Sequence, residues 1–267
     1  MLSRLSYYIS SIPTLLLGIK NWPAIITAFL GLRVPERIVL ELRNGCHFRV
    51  RTPMDIWIIK ETCLDRQYER QGVEIKDGWV VLDIGAGLGD FAICVALEHP
   101  HSTVYAYEPF PESFAMLEEN LDLNQVRNVK AFPYALSSQV GSIDFHIVSK
   151  EAVQHSTAFG LDGAQDSIQV PSTTLDHIFD EIQSDRCDYL KMDCEGAEYE
   201  ILLNASDSAL QRIGHICLEY HDGVTEFSHH DLVRFLEGKG FRVWLTPNPA
   251  WAHLGFLYAM NRRTLDN

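Results

Sequence analysis

The sequence predicts a doubly wound α/β fold, a mostly parallel sheet with helices on both faces. Three observations carry this. Val80 to Ile93 reads VVLDIGAGLGDFAI, an apolar run, a glycine-rich turn and the start of a helical apolar pattern. Beyond it, short β-rich runs alternate with helical runs, the pattern of repeated strand–helix–strand units. The last two β-rich runs, Phe241 to Leu245 and Gly255 to Met260, have no helix between them and predict an antiparallel pair closing the sheet.

At 267 residues and 46% hydrophobic content, the chain has room for one such domain and an extension. We divide it into residues 1–70, a helical and hairpin cap, and residues 71–267, the main domain. Leu5 to Ile19 and Ala24 to Leu32 are apolar but interrupted by Pro13, Lys20 and Pro23. Neither reaches the roughly 20 residues that span a bilayer, and no small-residue cleavage site follows. They predict two short helices that pack on the body, meet a second copy, or lie on a membrane surface, the first two being favoured. Ile38 to Arg51 alternates around Asn44-Gly45 and predicts a hairpin. Asp55 to Tyr68 carries apolar residues at helical spacing and predicts one helix.

Past the glycine turn, Ser102 to Tyr107 predicts the second strand, Pro111 to Leu123 a helix, and Val129 to Ala135 the third strand. Ser142 to Val148 predicts a hairpin strand. His155 to Asp166, polar and glycine-bearing, predicts a mobile loop. Thr174 to Ile182 predicts a short helix, Asp188 to Met192 the fourth strand, Tyr199 to Leu210 a helix, His215 to Tyr220 the fifth strand, and Ser228 to Gly238 a helix.

The formal charge is −14, which argues against a nucleic-acid substrate, because phosphate binding needs a basic surface. The charge is uneven. Residues 1–60 hold 8 basic and 3 acidic residues, and the rest hold 14 and 33. The basic arm suits an anionic surface or simply a solvated cap. Six cysteines, at 46, 63, 94, 187, 194 and 217, make no C-x-x-C pair. They predict reduced thiols in a cytoplasmic protein rather than a disulfide or zinc framework.

The glycine spacing separates two ligand classes. A dinucleotide turn is G-x-G-x-x-G over a pyrophosphate. Here Gly85, Ala86, Gly87, Leu88 and Gly89 make G-x-G-x-G, with Asp90 where the third glycine would fall and Asp83 two residues before the first. An acid there suits a cationic ligand. The stretch resembles motif I of the class I S-adenosylmethionine methyltransferases, whose cofactor carries a sulfonium and an ammonium. A dinucleotide-dependent oxidoreductase is the alternative, and a non-catalytic, membrane-associated scaffold on the same fold is another.

In such a sheet, ligands bind beyond the carboxyl ends of the strands. Glu108-Pro109 follows the second strand, with Glu108 lying 25 residues past Asp83. A carboxylate there can accept both hydroxyls of a ribose. Ala135 and Leu136 follow the third strand as neighbours for an adenine. Asp193, Glu195 and Glu198 follow the fourth, and Glu219, His221 and Asp222 the fifth. The candidate cofactor-binding set is therefore Asp83, Gly85, Ala86, Gly87, Gly89, Glu108, Pro109, Ala135, Leu136 and Asp193.

A more specific resemblance comes from YLKMDCEGAEYE (189–200) with LEYH (218–221), supported in order by NGCHFRV (44–50), Asp55 to Tyr68, YEPFPESF (107–114), ALSSQVGSIDF (135–145) and STTLDHI (172–178). These segments are similar to those of the FkbM-type methyltransferases. The departure is Gly87, where that family often has asparagine. The resemblance implies a Rossmann-like class I methyltransferase sheet, S-adenosylmethionine as cofactor, and O-methylation of a sugar, glycan or natural-product hydroxyl.

Methyl transfer from a sulfonium is an in-line displacement, so the protein has to hold the oxygen and take its proton. The catalytic candidates are Asp193, Glu195 and His221. His221 is expected to act as a neutral base, since an unperturbed imidazole titrates near 6.5, with the two carboxylates orienting it and the acceptor. His155 is a second candidate base. The acids could also ligate a hard cation, but substrate positioning is the simpler expectation, and no metal is assigned. The expected partners are a small-molecule or glycan acceptor and, less directly, a second copy or a membrane surface.

Overall fold

The computed structural model describes residues 11–29, 38–70, 72–147, 155–156, 166–182, 184–248 and 251–265. Helices α1 (11–18) and α2 (Trp22–Phe29) precede a hairpin of β1 (Ile38–Glu41) and β2 (His47–Val50). α3 (Pro53–Ile59) runs into a π-helical turn (Lys60–Leu64), and α4 (Gln67–Arg70) follows. The main domain then comprises β3 (Val80–Ile84), α5 (Asp90–Glu98), β4 (Thr103–Tyr107), α6 (Pro111–Leu123), β5 (Val129–Phe132), β6 (Ala135–Leu136), β7 (Gly141–Ile147), β8 (His155–Ser156) and β9 (Asp166–Thr173). It continues through α7 (Leu175–Glu181), β10 (Cys187–Met192), α8 (Glu198–Asn204), α9 (Asp207–Gln211), β11 (Ile213–His221), α10 (His229–Gly238), β12 (Phe241–Pro247) and β13 (Leu254–Asn261).

Seven strands form the central sheet in the order β12-β13-β11-β10-β3-β4-β5. β3, β4, β5, β10 and β11 run parallel, and β13 lies antiparallel to both β11 and β12. This is the doubly wound sheet expected from the sequence, with its antiparallel pair near the C-terminus. The chain leaves β3 toward β4 and β5, then returns to lay β10 on the other side of β3. That reversal opens a crevice at the carboxyl ends of β3 and β10.

Parallel strands covered by helices on both faces read as continuous apolar runs rather than alternations; β4 does so, and β3 and β10 do so except for Asp83, Asp188 and Lys191. Successive residues feed opposite layers. Val81, Val104, Tyr189 and Cys217 pack into one apolar cluster, and Leu82, Tyr105, Leu190 and Leu218 into the other. The N-terminal segment belongs to the first cluster through Ile19, Ile25, Leu42, Phe48 and Ile59, which pack with α5. It is also tied by main-chain hydrogen bonds from Lys20 N to Glu41 O and from Arg43 N to Gly18 O.

Several elements differ from expectation. The helix expected over Asp55 to Tyr68 is three pieces. Thr52 and Asp55 cap its start reciprocally, the Asp65 N–H reaches back to Lys60 O, and Arg66 takes a left-handed φ of 53°. The third strand stops at Phe132. Ala135 and Leu136 instead open a second sheet, β6-β9-β7-β8, in which β6 pairs parallel with β9 and β7 pairs antiparallel with it. The helix expected over Tyr199 to Leu210 breaks where Ala205 turns extended and Ser206 caps α9. Of the loop expected over His155 to Asp166, His155 and Ser156 pair with β7 as a short strand, and 157–165 lie outside the described residues.

The expectation of reduced thiols throughout is corrected. Cys63 of the π-helical turn and Cys94 of α5 form a disulfide across 31 residues of sequence, with the Cys46 sulfur 3.3 Å from that of Cys94. Three elements distant in sequence converge on one apolar layer there. Among the described residues, no helix is long and apolar enough to cross a membrane.

Candidate active site

The turn after β3 is fitted to its neighbours atom by atom. Gly85 sits at φ 74°, and a Cβ there would fall 1.9 Å from the main-chain oxygen of Asp193. Only glycine lets the β3 and β10 loops touch. The Gly85 and Ala86 N–H groups both donate to Tyr107 O, each at 3.0 Å. Gly87 has φ 56° but open space around it, where an asparagine, which tolerates the left-handed region, also fits. Gly89 lies deeper, at the start of α5 against Leu117.

Asp83 does not face a ligand as expected. It is fully buried, 3.0 Å from the Lys191 ammonium. Burial raises its pKa, and Lys191 pulls it back down. Lys191 also donates to Gly85 O at 2.7 Å. The pair therefore braces the glycine loop from beneath. The acid that faces the crevice from this loop is Asp90, whose pKa burial pushes to about 6 despite the opposing Lys191 charge.

Glu108 ends β4 with each carboxylate oxygen held by a main-chain donor, Gly87 N at 2.8 Å and Phe110 N at 2.9 Å. A carboxylate offers about four lone-pair sites, so both oxygens retain capacity for hydroxyl donors. Burial raises its pKa to about 7, against those two hydrogen bonds. Pro109, Ala135 and Leu136 line the crevice beside it. So do Phe110, Tyr134 and Phe145, with the Phe110 and Phe145 rings stacked at 6.2 Å.

Across the crevice, the turn after β10 is closed by its own side chain. Glu198, fully buried, accepts from Cys194 N at 2.6 Å and Gly196 N at 2.9 Å. This holds Glu195 in a left-handed conformation, φ 52°. The Asp193 N–H donates to Ile84 O at 3.0 Å, and its carboxylate accepts from the Tyr68 hydroxyl at 2.7 Å. His221, at the end of β11, is buried between two carboxylates. Its Nε2 lies 3.5 Å from Glu195 and its Nδ1 3.4 Å from Glu198. Burial disfavours the imidazolium, but Glu198, Glu195 and Glu219 outweigh it and hold the pKa well above 6.5. The ring is therefore more basic than the free imidazole on which the expectation of a neutral base rests. Glu195 is pushed up to about 7 by burial, against the pull of His221 and with the push of Asp193 and Glu198. Asp222 belongs elsewhere, accepting from Tyr199 and the His229 N–H. Asp193, Glu219 and His221 bring one ligand-type atom each within 4.8 Å of one another.

The resulting cleft, about 120 Å³ and open at its mouth, is lined by Gly85, Gly87, Glu108, Pro109, Ala135, Leu136, Asp193 and Glu195 of the expected residues. Asp83, Ala86, Gly89 and His221 stand behind the lining as supports. Sequence reasoning missed Tyr68, Asp90 and Lys191 as individual residues, although all three lie in segments it had marked. Their apolar or helical surroundings gave no sign of where their polar ends point.

The Methyltransferase FkbM domain family matches residues 83–243. The chain belongs to the FkbM methyltransferase family. It is 29% identical over 236 residues to the 31-O-demethyl-FK506 methyltransferase FkbM of Streptomyces tacrolimicus, covering 78% of this chain and 90% of that one. It is 26% identical over 208 residues to the hexuronic acid methyltransferase AglP of Haloferax volcanii, covering 77% and 82%. Among solved structures it resembles the methyltransferase FkbM of Methylobacillus flagellatus, with a TM-score of 0.50 and 16% identity, over 71% of this chain and 45% of that one. This FkbM-family methyltransferase thus has the class I sheet. The oxidoreductase and scaffold alternatives gain no support.

Proposed function

We propose that the protein transfers the methyl group of S-adenosylmethionine to a hydroxyl of a sugar, glycan or natural product. The observation that carries this is Glu195, a carboxylate with a pKa near neutrality, standing in the cleft beside Asp193 with the His221 imidazole 3.5 Å behind it. Poorly acidic hydroxyls need such a base at the reacting oxygen. The two relatives, a 31-O-demethyl-FK506 methyltransferase and a hexuronic acid methyltransferase, favour the same acceptor classes.

Gly85, Gly87 and Asp90 would hold the methionine end of the cofactor, Glu108 its ribose, and Pro109, Ala135, Leu136, Phe110 and Phe145 its adenine. The cofactor supplies an electrophilic methyl group. Asp193, oriented by Tyr68, would hold the acceptor hydroxyl, and Glu195 would take its proton as that oxygen accepts the methyl group and the sulfur leaves as the neutral thioether. His221 steadies the ionised Glu195. His155 carries no part of this assignment. Asp193 and His221 are each already engaged by protein partners, so we assign no metal. Chelation should leave turnover unchanged, and restoration by a divalent cation after chelation would reassign the cluster.

Calorimetry should detect S-adenosylhomocysteine, and intact mass should detect methylated acceptors. Glu195→Gln should lower turnover by about 10²–10⁴ with S-adenosylhomocysteine affinity nearly unchanged, and should remove the limb of the rate profile near pH 7. Near-full activity in that variant would overturn the base assignment. Tight NADH binding without a response to S-adenosylhomocysteine would overturn the cofactor.

A further inference from the structure

We infer that the outer faces of the two N-terminal helices dock on an anionic lipid surface. α1 buries one stripe and leaves the opposite one bare, and α2 exposes apolar side chains beside a buried one among its described residues. In α1, Ser11 is buried against Lys60 and Leu15 packs on the core, while Ile12, Leu16 and Leu17 are 50%, 47% and 75% exposed. In α2, Ile25 is buried, while Trp22 and Ile26 are 40% and 43% exposed. Of the ten large apolar side chains exposed among the described residues, five fall within residues 11–29. The other five are scattered singly along the chain, which is ordinary for a protein surface.

Charge selects the occupant. Residues 1–35 contain Arg4, Lys20 and Arg33 and no acidic residue, in a chain of net charge −14. Apolar side chains with a tryptophan and flanking cations suit the headgroup boundary of an anionic leaflet. A second copy fits worse, because a twofold contact would bring together two N-terminal segments that each carry three basic and no acidic residues over 1–35. The helices lie on the surface rather than cross it, since each apolar run is too short to span a bilayer. They are not loose, because the Ile19–Leu42 bridge and the main-chain bonds at Gly18 and Lys20 fix them to the hairpin. Docking there would hold the whole body at the lipid boundary in one orientation.

The test is cosedimentation of the full chain with phosphatidylcholine vesicles, with and without phosphatidylserine. Partitioning should be at least about tenfold stronger onto the anionic vesicles and weaken with salt. Leu17→Asp, at the most exposed site, should remove most of it while circular dichroism and methyl transfer stay unchanged. Lys20→Glu, at an exposed position, gives the same readout if Leu17→Asp disturbs folding. Three outcomes overturn the inference: no partitioning by the wild-type chain, equal partitioning onto neutral vesicles, or partitioning untouched by both substitutions. A dimer seen by light scattering that Leu17→Asp dissociates, with no vesicle binding, would assign the face to a second copy.

Discussion

At the scale of single residues, the two nearest glycines of the turn are not equivalent. Gly85 is required twice, by its left-handed φ and by the Asp193 carbonyl that a Cβ would strike. Gly87 needs only the conformation. Gly85→Ala should therefore cost more than about 2 kcal/mol and uncouple the β3 and β10 loops, whereas Gly87→Asn should cost under about 1 kcal/mol. Denaturant midpoints and S-adenosylhomocysteine affinity of the two variants check this, and equal losses would remove the distinction. Residue types at strand ends were legible because a doubly wound sheet brings those positions together whatever the side chains do. Their partners were not. Asp83 looked like a ligand acid because nothing in its own segment reveals that Lys191, 108 residues later, lies 3.0 Å away. His221 looked like a neutral base because its four acidic neighbours come from the DCEGAE turn and from its own strand. Only the fold crowds them around one ring.

At the scale of elements, the sheet was readable because apolar runs of strand length and helical period repeat in a fixed order. The failures all fall where local pattern was overruled by longer-range packing. The apolar spacing of Asp55 to Tyr68 continues unbroken, yet the chain must turn to carry Tyr68 under Asp193. The Arg66 conformation is where it does so. Ala135 and Leu136 continue a β-rich run but leave the central sheet, because their pairing partner, β9, is more than thirty residues away. The Cys63–Cys94 link escaped for the same reason: spacing along the chain says nothing about two thiols on facing elements. Within the candidate site, the glycine loop, Glu108 and the two acids after β10 were legible because each sits at the end of a strand. Tyr68 and Lys191 were not, because one lies on a short helix and the other inside a strand.

For the molecule as a whole, three crevice carboxylates set a pH dependence. Asp90 titrates at about 6, and Glu108 and Glu195 at about 7, burial being the first cause in each. Each binds its proton more tightly folded than unfolded, so folding takes up protons between about pH 4 and 7, and stability is lost as pH rises through that window. His221 acts in the same direction, because its raised folded pKa means its contribution is full below about 6.5 and fades above. Asp77, Asp222 and Asp231, held low by hydrogen bonds, oppose this only at more acid pH. The ligand-free protein should melt at a higher temperature near pH 5 than near pH 8, and Glu108→Gln should flatten the slope. A melting temperature that climbs steadily to pH 8 in the wild type would contradict the assignment. A cationic ligand should narrow the difference, since it stabilises the ionised carboxylates.

The Lys191 brace has an experimental consequence. An ammonium buried beneath the glycine loop and bonded to Asp83 and Gly85 is shielded from amine-modifying reagents. Only a small edge of it shows at the cleft floor, so its labelling rate reports how often the seam between the glycine loop and β10 opens, in the manner of hydrogen exchange. Peptide mass mapping should find Lys191 among the slowest lysines to react, and slower still with S-adenosylhomocysteine present. Fast labelling in the folded chain would mean that the seam breathes freely and that the loop is held by something other than this amine.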